Sequence, residues 1–234
     1  MSARKDPPLF CGPLLGPLAG IGGFLPPNVR RHIRLSPDIC CQGGIDHMDK
    51  SCVLSNVTRD YLSTFRCILD EMIRDMTEAE LTDSISHNFI VQMIPHHRAA
   101  IEMSRSILRY TTCVPVQEIA ERIIEEQTKS IENMERVLCR CSEQVDCEHD
   151  LSLYQCRVNQ ILQTMFAGMG GARSDNDVTA NFLREMIPHH CGAVELSENA
   201  LRWDICPALK PILEAIITSQ KRGIRQMRQL LRCM

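Results

Sequence analysis

The same ten-residue element occurs twice in this chain, as Asn88-Phe-Ile-Val-Gln-Met-Ile-Pro-His-His97 and as Asn181-Phe-Leu-Arg-Glu-Met-Ile-Pro-His-His190. The copies lie 93 residues apart, and the offset continues beyond them. Aligned without a gap, residues 86–138 and 179–231 are identical at 21 of 53 positions. Identity of this extent at one fixed offset is typical of an internal duplication. The sequence therefore predicts two copies of one structural unit.

Apolar residues recur at helical spacing through the element. In the first copy Phe89, Met93, His96 and Ala100 follow one another at steps of four, three and four residues. A stripe with this period predicts a helix with one buried face. It also turns the histidine pair toward the core, among methionines. Because Pro95 has no N–H and its ring crowds the preceding turn, we expect a kink just before the histidines.

The flanking segments also have helical patterns, and no period-two strand pattern is evident outside the N-terminal leader. We therefore predict an all-α fold of two tandem antiparallel three-helix repeats, forming ferritin-like helical bundles packed about a pseudo-twofold axis. The predicted boundaries are an N-terminal arm at 1–55, a first helical repeat at 56–141, a linker at 142–150 and a second helical repeat at 151–234.

The N-terminal arm differs in composition from the rest of the chain. Residues 1–50 hold 7 of the 12 prolines and 7 of the 12 glycines, so they cannot form a regular helix. Two interpretations remain open: a flexible leader, or an extended apolar arm that docks on a neighbouring molecule. The segment is too broken for a membrane span and lacks a convincing secretory signal, so the expected location is cytoplasmic. A spore or cell surface is the alternative.

The overall composition is that of a soluble globular protein. Hydrophobic residues make up 44% of the chain and charged residues 24%, with a net charge of −3. This charge gives no electrostatic reason to expect nucleic acid or an anionic membrane as a partner. No acid–base pair, phosphate loop or nucleotide fingerprint is visible, so we do not expect an enzyme.

The repeated histidine and methionine pattern predicts a metal site. On a helix, Met93 and His97 are one turn apart, which places thioether and imidazole on one side. This soft ligand set suits Cu(I) and tolerates Cu(II) through the histidines. The candidate ligands are His96, His97, Met93, Met103, Met72, Met76 and Met134 in the first repeat, and His189, His190, Met186, Met165, Met169 and Met227 in the second.

Packing is the competing interpretation of the same residues. A buried histidine or a methionine stripe more often fills a core than binds a ligand, and duplication alone preserves residues. The second copy also differs, because Leu196 replaces Met103 and Cys191 follows His190. In both repeats a glutamine, Gln127 or Gln220, interrupts the apolar face of the third helix and needs a hydrogen-bond partner.

Cysteine is unusually frequent, with 13 residues, an odd number that excludes complete intramolecular pairing. This suggests an alternative function: a cysteine-rich structural subunit of a disulfide-linked surface or spore-coat assembly. In that case the chain would be its own partner, through the N-terminal arm and intermolecular disulfides. The candidate disulfide residues are Cys11, Cys40, Cys41, Cys52, Cys113 and Cys206.

The two repeats resemble the domain-of-unknown-function family numbered 305, over about residues 57–139 and 151–234. The residues that carry the resemblance are Met93-Ile-Pro-His-His97, Ala100, Gln127, Ile131 and Met134, and in the second copy Met186-Ile-Pro-His-His190, Ala193, Gln220, Ile224 and Met227. The resemblance implies small ferritin-like helical bundles, and it implies copper handling, since some members are periplasmic copper-binding proteins that use methionine and histidine. Two features depart from the family: Ser86 and Thr179 stand where members usually carry aspartate, and an export signal is not evident.

Overall fold

The computed structural model describes residues 53–234, and over that range the chain is all-helical, as predicted. The predictions for the N-terminal arm lie outside the described residues. The six helices of the described range are α1 (Asn56–Thr77), α2 (Ile85–Ile107), α3 (Val114–Cys141), α4 (Glu148–Gly170), α5 (Val178–Ala200) and α6 (Lys210–Leu231). Each repeat contributes three of them, in the same order.

Short polar side chains start several of these helices at equivalent places. The Ser84 hydroxyl accepts a hydrogen bond from the backbone N–H of His87 at the start of α2, and the Asp177 carboxylate accepts one from the N–H of Ala180 at the start of α5. Such N-caps satisfy backbone donors that have no partner within the helix. Both motif helices are thereby fixed at their first turn.

The two motif helices, α2 and α5, pack against each other at the centre of the described structure. Helices α1 and α3 flank α2, α4 and α6 flank α5, and α3 also contacts α6 across the repeats. The contacts between the repeats are reciprocal: the His96 ring bonds the His189 carbonyl oxygen, and the His189 ring bonds the His96 carbonyl oxygen. Reciprocity of this kind is what a twofold relation between two similar units produces.

Both motif helices continue as α-helix past an internal proline, Pro95 in α2 and Pro188 in α5. None of the helices in the described range is long and apolar enough to cross a membrane.

The second repeat packs its first two helices especially closely at Gly192. A Cβ atom placed on this glycine would lie 2.1 Å from the Met165 Sδ and 2.7 Å from the Met165 Cγ. We expect Gly192→Ala to destabilise the fold by about 1–3 kcal/mol, because the inner part of the Met165 side chain would have to move. Chemical denaturation tests this, with Ala99→Gly at the equivalent position of the first repeat as the control. An unchanged stability of Gly192→Ala would show that α4 and α5 separate at little cost.

Candidate functional site

Four histidines from α2 and α5 form a buried cluster at the centre of the described structure. The rings of His96 and His189 stack across the interface between the repeats, with 3.7 Å between centroids and 29° between planes. His97 and His190 follow them on their own helices, each with its ring centroid 5.8 Å from that of its neighbour. All four side chains are almost completely buried. The structure thus turns both predicted histidine pairs inward and brings them together.

The hydrogen bonds of the stacked pair determine which ring nitrogen carries the proton. His96 Nε2 lies 3.2 Å from the His189 carbonyl oxygen, and His189 Nε2 lies 3.2 Å from the His96 carbonyl oxygen. A carbonyl oxygen only accepts, so each Nε2 must donate. In a neutral ring the other nitrogen, Nδ1, then holds a free lone pair. Among the described residues neither Nδ1 has a hydrogen-bond partner, and the same is true of Nδ1 in His97 and His190.

Burial keeps the four imidazoles neutral. Desolvation lowers the pKa of His97 to about 3 and that of His190 to about 4. It also lowers the pKa of His96 and His189 well below the ordinary value, and the neighbouring imidazoles act in the same direction. Neutral imidazole is the form of histidine that binds metal ions. At neutral pH the cluster therefore presents four unprotonated nitrogens to the protein interior.

The methionines predicted as ligands all lie in the core around this cluster. Each is at most 3% exposed: Met72, Met76, Met93, Met103, Met134, Met165, Met169, Met186 and Met227. In the second repeat Met227 and His190 border the same glycine. A Cβ placed on Gly223 would lie 3.1 Å from the His190 Nε2 and 3.9 Å from the Met227 Cε. The Met227 methyl group and the His190 ring thus border the same position on α6.

The cluster is not a conventional site of three or more charged or imidazole ligands. Within residues 53–234, no group of three or more His, Cys, Asp and Glu side chains is placed to hold one metal ion. An ion bound without rearrangement would use at most two of these imidazoles and would need sulfur to complete its ligands.

The two repeats differ at the outer nitrogen of the second histidine. His97 Nε2 is 3.1 Å from the Ser130 hydroxyl on α3. The position equivalent to Ser130 in the second repeat is Gly223, which offers His190 no hydroxyl. The alignment of the two repeats already showed serine at one position and glycine at the other. The effect on the histidines can be seen only from the positions of the imidazole rings.

A buried carboxyl next to the cluster was not predicted as a functional group. Glu185 lies on α5, one turn before His189, and is 2% exposed. It accepts a 2.6 Å hydrogen bond from the Tyr61 hydroxyl of the other repeat. Burial raises the pKa of Glu185 to about 8, although the Tyr61 hydrogen bond and the Arg66 and Arg184 charges act against this. The carboxyl is therefore largely protonated at neutral pH.

The cysteines of the described range give a second contact between the repeats. Cys141 at the end of α3 and Cys206 before α6 are both buried, and their thiols are hydrogen-bonded to each other. Burial and this contact raise the pKa of Cys141 to about 12. Cys206 and Cys113, both candidates for disulfides, are free thiols. The other candidates, Cys11, Cys40, Cys41 and Cys52, lie outside the described residues, so the disulfide-linked subunit stays a prediction.

Fold and site together define a duplicated all-α bundle with a histidine and methionine core. The family model described as "Domain of unknown function (DUF305)" matches the chain over residues 66–138 and again over 86–231. The chain belongs to this family, as the resemblance of its motifs predicted. No curated protein and no solved structure matches the chain. The family description carries no activity, so a function has to be argued from the site.

Proposed function

We propose that this protein binds a soft metal ion, Cu(I), at its paired histidines and buried methionines, without catalysing a reaction. The observation that carries the proposal is the set of four buried, neutral imidazoles whose Nδ1 atoms have no hydrogen-bond partner among the described residues. In the stacked pair, His96 and His189, this Nδ1 carries a free lone pair, which is the form of imidazole nitrogen that binds a metal ion. The proposal makes the histidine pairs, and not the cysteines, the functional part of the chain.

Packing alone accounts poorly for these unpartnered nitrogens. A buried polar atom without a hydrogen bond costs about 1–3 kcal/mol, and the cluster holds four of them. Leucine or phenylalanine would fill the same space without this cost. A metal ion that takes up some of the lone pairs would offset it.

The surrounding donors favour copper over harder metals. Thioether sulfur selects soft ions such as Cu(I), whereas Mg²⁺ and Ca²⁺ require oxygen ligands. Among residues 53–234 the only buried carboxyl is that of Glu185, which accepts a hydrogen bond from Tyr61 and is largely protonated at neutral pH. The soft donors that the proposal uses are therefore imidazole nitrogen and methionine sulfur. His190 with Met227 is the pair that the geometry supports best.

Titration of the reduced protein with Cu(I) in the presence of a competing chelator tests the proposal. We expect the quadruple variant with His96, His97, His189 and His190 replaced by alanine to bind at least about a hundredfold more weakly than wild type. His149→Ala is the matched control, because His149 lies on the surface outside the cluster. Equal affinity of the wild-type and quadruple variants would remove the claim, provided that circular dichroism shows both to be folded.

A further inference from the structure

A small cavity lies where α3 and α6 cross, next to the second histidine pair. Its volume is about 20 Å³, and its inner wall is formed by Gln127, Gln220, His190 and Gly223. This is room for one species the size of a water molecule. At the outer edge Arg222 pairs with Glu126, and Arg122 donates a 2.8 Å hydrogen bond to Gln226. The cavity therefore runs from a charged rim on the surface to an imidazole of the buried cluster.

The two glutamines present unsatisfied polar atoms to this cavity. Gln127 is 2% exposed, and within the described part of the chain neither its amide nitrogen nor its amide oxygen has a hydrogen-bond partner. Gln220 is 3% exposed, and its amide oxygen is also without a partner. Because neither the nitrogen nor the oxygen of the Gln127 amide is hydrogen-bonded, the side chain can turn either of these atoms toward a species in the cavity. Buried amides in this state indicate a ligand.

In the first repeat the equivalent imidazole nitrogen has a hydrogen-bond partner. There the Ser130 hydroxyl is hydrogen-bonded to the Nε2 atom of His97, at 3.1 Å. In the second repeat Gly223 has no side chain at this position, and a Cβ there would lie 3.0 Å from the His190 Cδ2 and 3.1 Å from its Nε2. Helix α6 thus approaches His190 closely and leaves its Nε2 facing the cavity. The two repeats therefore differ in whether a small species can reach the Nε2 atom of the second histidine.

We propose that this cavity is the port through which a single monovalent soft metal ion enters the histidine cluster, with His190 Nε2 as its first ligand. As the ion passes through the cavity, the carboxamide oxygens of Gln127 and Gln220 would replace its bound water molecules. The inference rests on the proposed function and adds to it that metal enters through the second repeat only.

The net positive charge of the rim disfavours a divalent cation more strongly than a monovalent one. Arg122, Arg222 and Glu126 leave one net positive charge at the opening. Repulsion scales with the charge of the entering ion, so a divalent cation meets twice the barrier of Cu(I). The small volume also excludes an ion that keeps its full hydration shell.

The experiment is the rate of Cu(I) transfer from a weak chelator to the full chain, followed by stopped flow. We expect Gly223→Ser to slow Cu(I) loading at least about tenfold. The new hydroxyl would hydrogen-bond to the His190 Nε2, as the Ser130 hydroxyl does to the Nε2 of His97. Ser130→Gly is the matched control and should not slow loading. The thermal unfolding midpoint shows whether each variant is folded.

A second measurement needs no metal. Hydrogen–deuterium exchange at the imidazole C2 position of His190, read by mass spectrometry, should be about tenfold slower in Gly223→Ser than in the wild type. Exchange at His97 should be the same in both proteins. An unchanged exchange rate at His190, or wild-type loading by folded Gly223→Ser, would overturn the port and leave a cavity that holds water only. The copper proposal itself fails separately, when the quadruple histidine variant binds like the wild type.

Discussion

Lowering the pH from 7 to 4.5 is expected to destabilise the folded protein by about 5 kcal/mol through His97 and His190 alone. Burial lowers their pKa values to about 3 and about 4, whereas an unfolded histidine titrates near 6.5. Between these values only the unfolded chain binds the protons. The stabilisation is therefore complete above pH 6.5 and is lost as the pH falls toward 4 and 3. His96 and His189, whose pKa values are also lowered, act in the same direction.

Urea denaturation at a series of pH values between 7 and 4.5 measures this loss. Replacing the stacked pair, His96→Leu with His189→Leu, should reduce the pH dependence of the unfolding free energy by about two protons, or about 2.7 kcal/mol per pH unit. His149→Gln, on the surface, is the control variant. Because the slope with pH is compared, a change in overall stability does not affect the result. A slope identical in the double variant and wild type would show that the central rings are protonated in the fold.

The periodicity of the sequence was sufficient to predict which faces of the helices are buried. Spacing along a helix is local, and it fixes the direction of a side chain whatever the helix packs against. His96, Met93 and Ala100 were assigned to the inner face on this ground, and all three are buried. The duplication then extended the same prediction to the second repeat.

The spacing of residues within one repeat could not predict how the two repeats pack against each other. The stack of His96 on His189, and the bond from Tyr61 to Glu185, join residues 93 and 124 positions apart. Whether such residues meet depends on how the two units dock, which no residue pattern within one unit specifies. The sequence predicted that four imidazoles face inward, but not that they form one cluster.

The start of α4 shows a similar limit at the level of a single helix. The helix begins at Glu148, before the predicted start of the second repeat at residue 151. Cys147 occupies the N-cap position without a side-chain hydrogen bond, so the usual Ser, Thr, Asp or Asn signal is missing. Glu148 and Asp150 in the first turn complement the helix dipole, and these acidic residues could have indicated the start of the helix.

Glu185→Gln is expected to stabilise the protein at alkaline pH, relative to the wild type, by roughly 4 kcal/mol more than at pH 4.5. Burial raises the pKa of Glu185 to about 8, well above that of an unfolded glutamate. The folded chain therefore keeps a proton that the unfolded chain has lost. The associated stabilisation is present below about pH 4.5 and is lost as the pH rises to about 8. A glutamine does not titrate, yet it still accepts the hydrogen bond from Tyr61.

The first repeat provides the matched test, because Gln92 stands at the position equivalent to Glu185 and is also buried. Its amide nitrogen donates a 3.1 Å hydrogen bond to the Met76 carbonyl oxygen. In Gln92→Glu a protonated carboxyl can still donate to that oxygen, whereas an ionised one cannot. We expect this variant to lose stability progressively with rising pH, opposite to Glu185→Gln, in urea denaturation between pH 5 and 9. If Glu185→Gln and wild type kept a constant difference over this range, Glu185 would be ionised in the fold, and the repeats would tolerate a buried charge beside the histidines.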